Sequence, residues 1–262
     1  MINLEGKVAI IPGGATMIGR KVAHEFLRAG ARVTVCDIDE AGGHELEQEA
    51  GDGLKFIHAD ITDDAQIDAV IEQTLAAWGG IDCLVNVACT YLDNGIASSR
   101  EEWRQALDVN LVSGAVFVQK VAPYMRQRGG GAVVNFASIS GKRAQPGRLL
   151  YAASKAAIIG ATRNEALLLA EDNIRVNCVS PGWVWSNVIR DMSGNDRAKA
   201  DRVAGDFHLS GRTVDPEEVA RSVVFLCSDA ASGISGADLA VDCGYTAIGA
   251  EQKTDKVAQL ME

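Results

Sequence analysis

Lys7-Val8-Ala9-Ile10-Ile11-Pro12-Gly13-Gly14-Ala15-Thr16-Met17-Ile18-Gly19 decides how the chain folds. Lys7 to Ile11 is a short apolar run with the composition and length of a strand. After the glycines, Ile18, Val22, Phe26 and Ala29 recur at helical steps, and Gly30 supplies the left-handed stop. A strand that turns through glycines into a helix lets the backbone approach a pyrophosphate, whose charge the helix N-terminus meets. Alone, the same residues also describe a tight turn with no ligand.

Working outward, the unit repeats. Ala31 to Cys36, Leu54 to His58, Ile81 to Val87, Ala132 to Phe136, Ile174 to Val179 and Ala237 to Val241 are Val/Ile-rich runs bounded by Gly, Asp, Asn or Pro. Their apolar character is continuous, which suits strands covered on both faces. Asp64 to Trp78 has a helical face, and Glu101 to Arg128 and Arg148 to Ala170 are each long enough for a long helix. The alternation predicts an α/β doubly wound, Rossmann-type fold: a parallel sheet of about seven strands in three α/β/α layers. No linker or repeat divides residues 1–262, so a single domain is expected. Trp183 to Arg212, with Gly194 and Gly205 as breakers, reads as a loop or loosely helical lid.

Composition narrows the function. Of 262 residues 47% are hydrophobic, enough to fold on a core alone, and the net charge of −10 has the wrong sign for a nucleic-acid or anionic-membrane partner. Cys36, Cys83, Cys89, Cys178, Cys227 and Cys243 form no Cys-x-x-Cys pair, and His24, His44, His58 and His208 show no ligand spacing. Free thiols and no metal are expected. No run approaches the ~18 apolar residues of a membrane span. A cytoplasmic location is the expectation.

The next strand ends at Asp37, eighteen residues beyond Gly19. A carboxylate there can accept both hydroxyls of an adenosine ribose and would repel a 2′-phosphate, and neither Thr16 nor Ile38 is basic. That favours NAD over NADP, although Asp37 also suits a helix cap. Asp60 ends the third strand and has the same placement, within reach of an adenine amino group. Further on, Tyr151 and Lys155 lie four apart on a helix and so share a face, while Ser138 ends the fifth strand. Lowering a tyrosine from ~10 by ~3 units takes about 4 kcal/mol. One ammonium ~4 Å away at an effective dielectric near 20 supplies about that much. The pair is therefore read as a base that works near neutral pH.

These landmarks together resemble the classical short-chain dehydrogenase/reductase family, whose pattern is T-G-x-x-x-G-x-G, then N-N-A-G, then Asn, Ser and Y-x-x-x-K. They stand here as Pro12 to Gly19, Asn86-Val87-Ala88-Cys89, Asn110, Ser138 and Tyr151-Ala152-Ala153-Ser154-Lys155, and Pro181-Gly182-Trp183-Val184-Trp185-Ser186 is similar to the family's P-G-x-V-x-T. The resemblance covers nearly the whole chain. It implies hydride transfer between the nicotinamide of NAD and a carbinol carbon of a small alcohol or ketone substrate. Tyr151 would be the general base, Lys155 its activator and a ribose ligand, Ser138 the holder of the substrate oxygen, and Asn110 the keeper of a water. Cofactor contacts would fall on Gly13, Thr16, Met17, Ile18, Gly19, Asp37, Ile38, Asp60, Ile61, Asn86, Ala88, Tyr151, Lys155, Pro181, Gly182, Val184 and Ser186. Substrate contacts would fall on Ser140, Arg148, Trp183 and Trp185. Arg143, Arg148 and Arg190 suit a carboxylate or sulfonate and equally a solvated surface. The family is usually a homotetramer, an assembly with which the apolar helix Tyr151 to Ala170 is compatible.

Two departures stand out. Pro12 takes the place of a threonine, removing a backbone donor and a hydroxyl. Met17 takes the place of the middle glycine, at a cost of ~1–2 kcal/mol if that residue is left-handed. They are the only support for a second reading, a nucleotide-binding regulatory or scaffold protein without turnover. An enoyl reductase is disfavoured, because that related group spaces its Tyr and Lys more widely.

Overall fold

A computed structural model of the chain describes residues 2–249. The polar tail 251–262, whose sequence suits docking and fraying equally, lies outside them. Among the described residues seven parallel strands form one sheet in the order β3-β2-β1-β4-β5-β6-β7. They are β1 Val8–Pro12, β2 Arg32–Asp37, β3 Leu54–His58, β4 Cys83–Asn86, β5 Gly131–Phe136, β6 Ile174–Pro181 and β7 Asp238–Val241. Around them run α1 Met17–Arg28, α2 Glu40–Ala50, α3 Asp64–Trp78, α4 Arg100–Leu107, α5 Ser113–Gln127, α6 Leu149–Leu168, α7 Asn187–Ser193, α8 Arg197–Ala204 and α9 Pro216–Cys227.

The continuous apolar strands are covered on both sides. Ala9 and Ile11 of β1 join Val22 and Phe26 of α1, Leu46 of α2 and Val219 of α9, whereas Ile10 joins Ile67 and Val70 of α3 and Phe117 and Val121 of α5. This is the period-2 alternation of a strand serving two cores at once. Phe26 and Phe117 are fully buried; truncating either to alanine would cost ~3–5 kcal/mol. All six cysteines are free thiols, and no cluster of His, Cys, Asp or Glu among the described residues is arranged to hold a metal. No helix among those residues is long and apolar enough to cross a membrane.

The structure adds three features to the sequence expectation. The helix α2 carries Gly42 and Gly43, poor helix formers that mask it in the sequence. A Cβ at Gly43 would lie 2.0 Å from the Phe56 ring, so the glycine is what lets β3 press against this helix. Residues 101–128 are not one helix: a π-helical turn, Asp108–Val112, separates α4 from α5. Within residues 183–212 two short helices form, α7 and α8.

The order of the sheet reverses between β1 and β4, and a crevice outside the carboxyl ends of the strands follows at that point. Pro12, Asp37, Asn86, Phe136 and Pro181 all end strands on that edge.

Candidate active site

The first turn is shaped by glycines that have no room for a side chain. Gly13 has φ +81°, and a Cβ there would meet Ala88 at 2.5 Å; one at Gly19 would meet the Gly13 carbonyl oxygen at 2.3 Å. Thr16 caps α1, its Oγ1 accepting from Gly19 N at 3.1 Å and donating to the Gly13 carbonyl at 2.8 Å. Met17 and Ile18, in the first turn of the helix, therefore keep backbone N–H groups with no intrahelical partner. Met17 is right-handed helical, so the left-handed strain envisaged from the sequence does not arise. Pro12 still ties the turn to the next strand: its carbonyl accepts from Val87 N at 3.1 Å and Ala88 N at 3.0 Å, and Gly13 N donates to the Cys36 carbonyl at 2.8 Å.

Asp37 sits beside this turn, Oδ2 accepting from Ala15 N at 3.0 Å and Oδ1 from Asp39 N at 3.1 Å. It does not cap α2; Asp39 does, through Gly42 N. Ile38 is 70% exposed next to it. The guanidinium of Arg20 nearby is committed to Glu45 at 2.5 Å, Glu49 at 3.4 Å and the Gly42 carbonyl at 2.7 Å. Asp60 accepts from Thr62 N and Oγ1 in a local turn after β3.

Behind the sheet edge a small cavity of about 30 Å³ is lined by Ile61, Asn86, Ala88, Asn110, Asn135, Lys155 and Glu165, among others. That volume holds a water, and the lining is polar. Asn86 Nδ2 donates to Asn135 Oδ1 at 2.8 Å, yet Asn86 Oδ1 is buried with no partner, which a water in this cavity would supply. Asn110, in the π-helical turn, clamps Thr90: its Oδ1 accepts from Thr90 N at 2.7 Å and its Nδ2 donates to the Thr90 carbonyl at 3.1 Å. Asn135 Nδ2 donates to Glu165 Oε2 at 2.9 Å, and burial pushes the Glu165 carboxyl above its ordinary value.

Ser138, Tyr151 and Lys155 converge on the larger cavity, about 1040 Å³, which opens from the first turn across to residues 183–207. Tyr151 and Lys155 share one face of α6, as their spacing requires. The ammonium of Lys155 donates to the Phe136 carbonyl at 2.7 Å and stands 5.4 Å from the centre of the Tyr151 ring. The side chain is 2% exposed, and burial draws its pKa down. Burial acts the other way on the phenol of Tyr151, which is pushed above its usual value, with the Cys89 thiol adding to the rise. Hydrogen bonds with Ser138 and Tyr91 and the charge of Arg148 pull it back. Burial thus opposes the lowering expected from Lys155 alone.

The sequence reading missed two groups at this phenol. The Tyr91 ring stacks on Tyr151 with centroids 4.9 Å apart and planes at 19°, and Cys89 stands close by. Nothing in the aperiodic loop after Ala88 points to that pairing, although Cys89 in place of a glycine marks the spot. Ser140 also lines the cavity and donates to Gln145 Oε1. Pro181, Gly182, Val184 and Ser186 line it at the end of β6, and a Cβ at Gly182 would meet Asp242 Cα at 2.9 Å. Trp183 lines it too, edge-on to Phe207 at 4.8 Å. Trp185 does not: its backbone N–H donates to the Val214 carbonyl, Arg197 covers its ring at 5.5 Å, and it fastens this segment to the core. Neither Arg143, on the exposed surface, nor Arg190, paired with Asp191, reaches the cavity lining.

Comparison with known proteins agrees over nearly the whole chain. Residues 13–246 match a family model described as enoyl-(acyl carrier protein) reductase. A 2,5-dichloro-2,5-cyclohexadiene-1,4-diol dehydrogenase of Sphingobium indicum is 34% identical over 251 residues, 95% of this chain and 100% of that protein. Among solved structures, a 7α-hydroxysteroid dehydrogenase in complex with NADH and 7-oxo glycochenodeoxycholic acid superposes with a TM-score of 0.86 at 31% identity, covering 92% of this chain and 95% of that one. A 3-ketoacyl-(acyl-carrier-protein) reductase from Brucella melitensis, complexed with NADH, gives 0.85 at 30% identity, covering 93% and 100%.

Proposed function

The chain belongs to the classical short-chain dehydrogenase/reductase family of oxidoreductases, and on that footing we propose that it interconverts a secondary alcohol and a ketone with NAD, Tyr151 serving as general base. The observation that carries this reading is the convergence of Ser138, Tyr151 and Lys155 on one cavity that also reaches the free N–H groups of the first turn.

The residues present fit a dinucleotide. The glycine-built turn and the N–H groups of Met17 and Ile18 suit a pyrophosphate, and Asp37 suits ribose hydroxyls. NAD is preferred over NADP because the Asp37 carboxylate repels a 2′-phosphate while Arg20, the cation beside it, is held by Glu45 and Glu49. When bound, NAD would accept the hydride from the carbinol carbon. The protein handles the proton. Ser138 Oγ orients the substrate oxygen, and Tyr151 Oη takes the hydroxyl proton. Lys155, held by the Phe136 carbonyl, has two further N–H donors for a ribose and for water in the small cavity beside Asn110. Because burial raises the phenol, the working phenolate fraction grows as pH rises, and oxidation should speed up toward alkaline pH. Residues 183–212 act as a substrate lid on a single catalytic domain.

The reading also carries a cytoplasmic location and a homotetramer. Leu167 and Leu168 stand exposed on α6, 73% and 77%, as an apolar surface for a second copy. The Tyr151-x-x-x-Lys155 spacing keeps alcohol oxidation ahead of enoyl reduction. The test is titration of the purified chain with NAD and NADP, then turnover on a panel of secondary alcohols read as NADH absorbance. NAD should bind at least about tenfold tighter, ~1.4 kcal/mol, and at least one alcohol should be oxidised. Tight NAD binding with no turnover on any alcohol would favour the scaffold reading instead.

A further inference from the structure

Arg148 is the feature of the large cavity that the proton chemistry leaves over. Its guanidinium lies 5.2 Å from the centre of the Tyr91 ring and 5.6 Å from that of Tyr151, capping the stacked pair. Among the described residues no carboxylate lies within 4.0 Å of it, although the chain has 35 acidic residues. Asp93, in the loop that carries Tyr91, spends its two oxygens on Tyr151 N at 3.1 Å and Gly95 N at 2.9 Å. Among the described residues the lining of the cavity contains Arg148, Lys155 and Lys199 and no Asp or Glu. In a protein of net charge −10 that is a local reversal of sign.

The rest of the wall mixes neutral polar side chains, among them Ser140, Gln145 and Asn187, with an apolar majority that includes Ile139, Trp183 and Phe207. A guanidinium fork held against aromatic faces keeps its N–H donors in plane and loses little freedom when it binds a planar anion. We propose that the substrate is an apolar hydroxy or keto compound bearing a carboxylate, which Arg148 receives as a bidentate pair close to the reacting carbon. The inference rests on the reading of Ser138 and Tyr151 as the reacting centre, and it makes Arg148 the residue that selects the substrate class. It also places a cation beside the phenol that is fully engaged only when a carboxylate is absent, so binding of an acid draws part of that charge away from Tyr151.

The test uses benzoate and its neutral counterpart benzamide as probes, titrated calorimetrically into the protein with and without NAD. Benzoate should bind at least about tenfold tighter than benzamide, and Arg148→Met should erase the difference. Arg148→Gln should do the same where the methionine variant fails to fold. Equal binding of the two probes, a preference that survives both variants, or no benzoate binding up to tens of millimolar would overturn the proposal. So would a result in which Arg148→Met shifts only the pH profile of turnover, because Arg148 would then serve the phenol alone. If NAD fails to bind while the Arg148-dependent preference persists in its absence, the anion site stands and the dehydrogenase reading fails.

Discussion

The first turn and the helix α6 border the same cavity, but the proposed function draws on different parts of the chain in each. At Pro12 to Gly19 the groups proposed to meet the dinucleotide are backbone N–H donors, and the Thr16 side chain serves the turn itself as the cap of α1. Pro12 and Met17 are tolerated there because the Pro12 carbonyl still holds Val87 and Ala88, and Met17 adopts ordinary helical geometry. In the proposed reaction the side chains of Ser138, Tyr151 and Lys155 themselves carry the chemistry, which needs a phenol and a buried ammonium. Sequence departures therefore mean less in the first region than in the second.

The comparison breaks first where the turn does depend on a residue type. Gly19→Ala would put a Cβ 2.3 Å from the Gly13 carbonyl oxygen and 2.6 Å from Gly14 Cα. It should cost ~1–3 kcal/mol in stability and about tenfold or more in NAD affinity, read by thermal melting and titration. Asp37→Ala comes next. It should shrink the NAD over NADP preference from about tenfold toward unity, and an unchanged ratio would remove Asp37 from cofactor selection. Glu218→Gln probes the footing of the segment over the cavity, where Arg212 grips Glu218 at 2.7 and 2.9 Å. This partly exposed, bidentate pair should contribute ~1 kcal/mol. Arg212 holds the Glu218 carboxyl down at about 2 against an ordinary 4.5, so its stabilisation is present above the ordinary value and is lost as pH falls toward about 2. Melting curves on either side of that window should differ less in the variant than in the parent. The smallest effect belongs to Met17→Gly, which should leave NAD affinity within about threefold, ~0.7 kcal/mol. A larger loss would show that the Met17 side chain supports the cofactor, and the contrast between the two regions would weaken.

Legibility in the sequence follows the same division. The strands were readable because a parallel sheet with helices on both faces demands unbroken apolar runs, and Leu54–His58 and Asp64–Trp78 match the structure residue for residue. The α2 helix was not readable, since Gly42 and Gly43 argue against it locally and only the Phe56 ring explains Gly43. The break between α4 and α5 was equally hidden: it depends on Asn110 reaching back to Thr90 across a loop. For the site, spacing alone brought Tyr151 and Lys155 to one face. Tyr91 lies sixty residues from Tyr151 in a loop with no period, so its stacking is a purely tertiary fact. The upward push on the phenol escapes the sequence for a similar reason, because it comes from burial, and the Tyr151–Lys155 charge pair considered alone takes no account of burial.

One substitution tests the central claim, that Tyr151 moves the proton while the first turn holds the dinucleotide. Tyr151→Phe keeps the ring and its stacking on Tyr91 but removes the hydroxyl, and NAD affinity and alcohol turnover are to be measured on the same preparation. Turnover should fall by ~10²–10⁴-fold with NAD binding held within about threefold. Turnover that survives the substitution, or NAD affinity that collapses in step with it, would contradict the account.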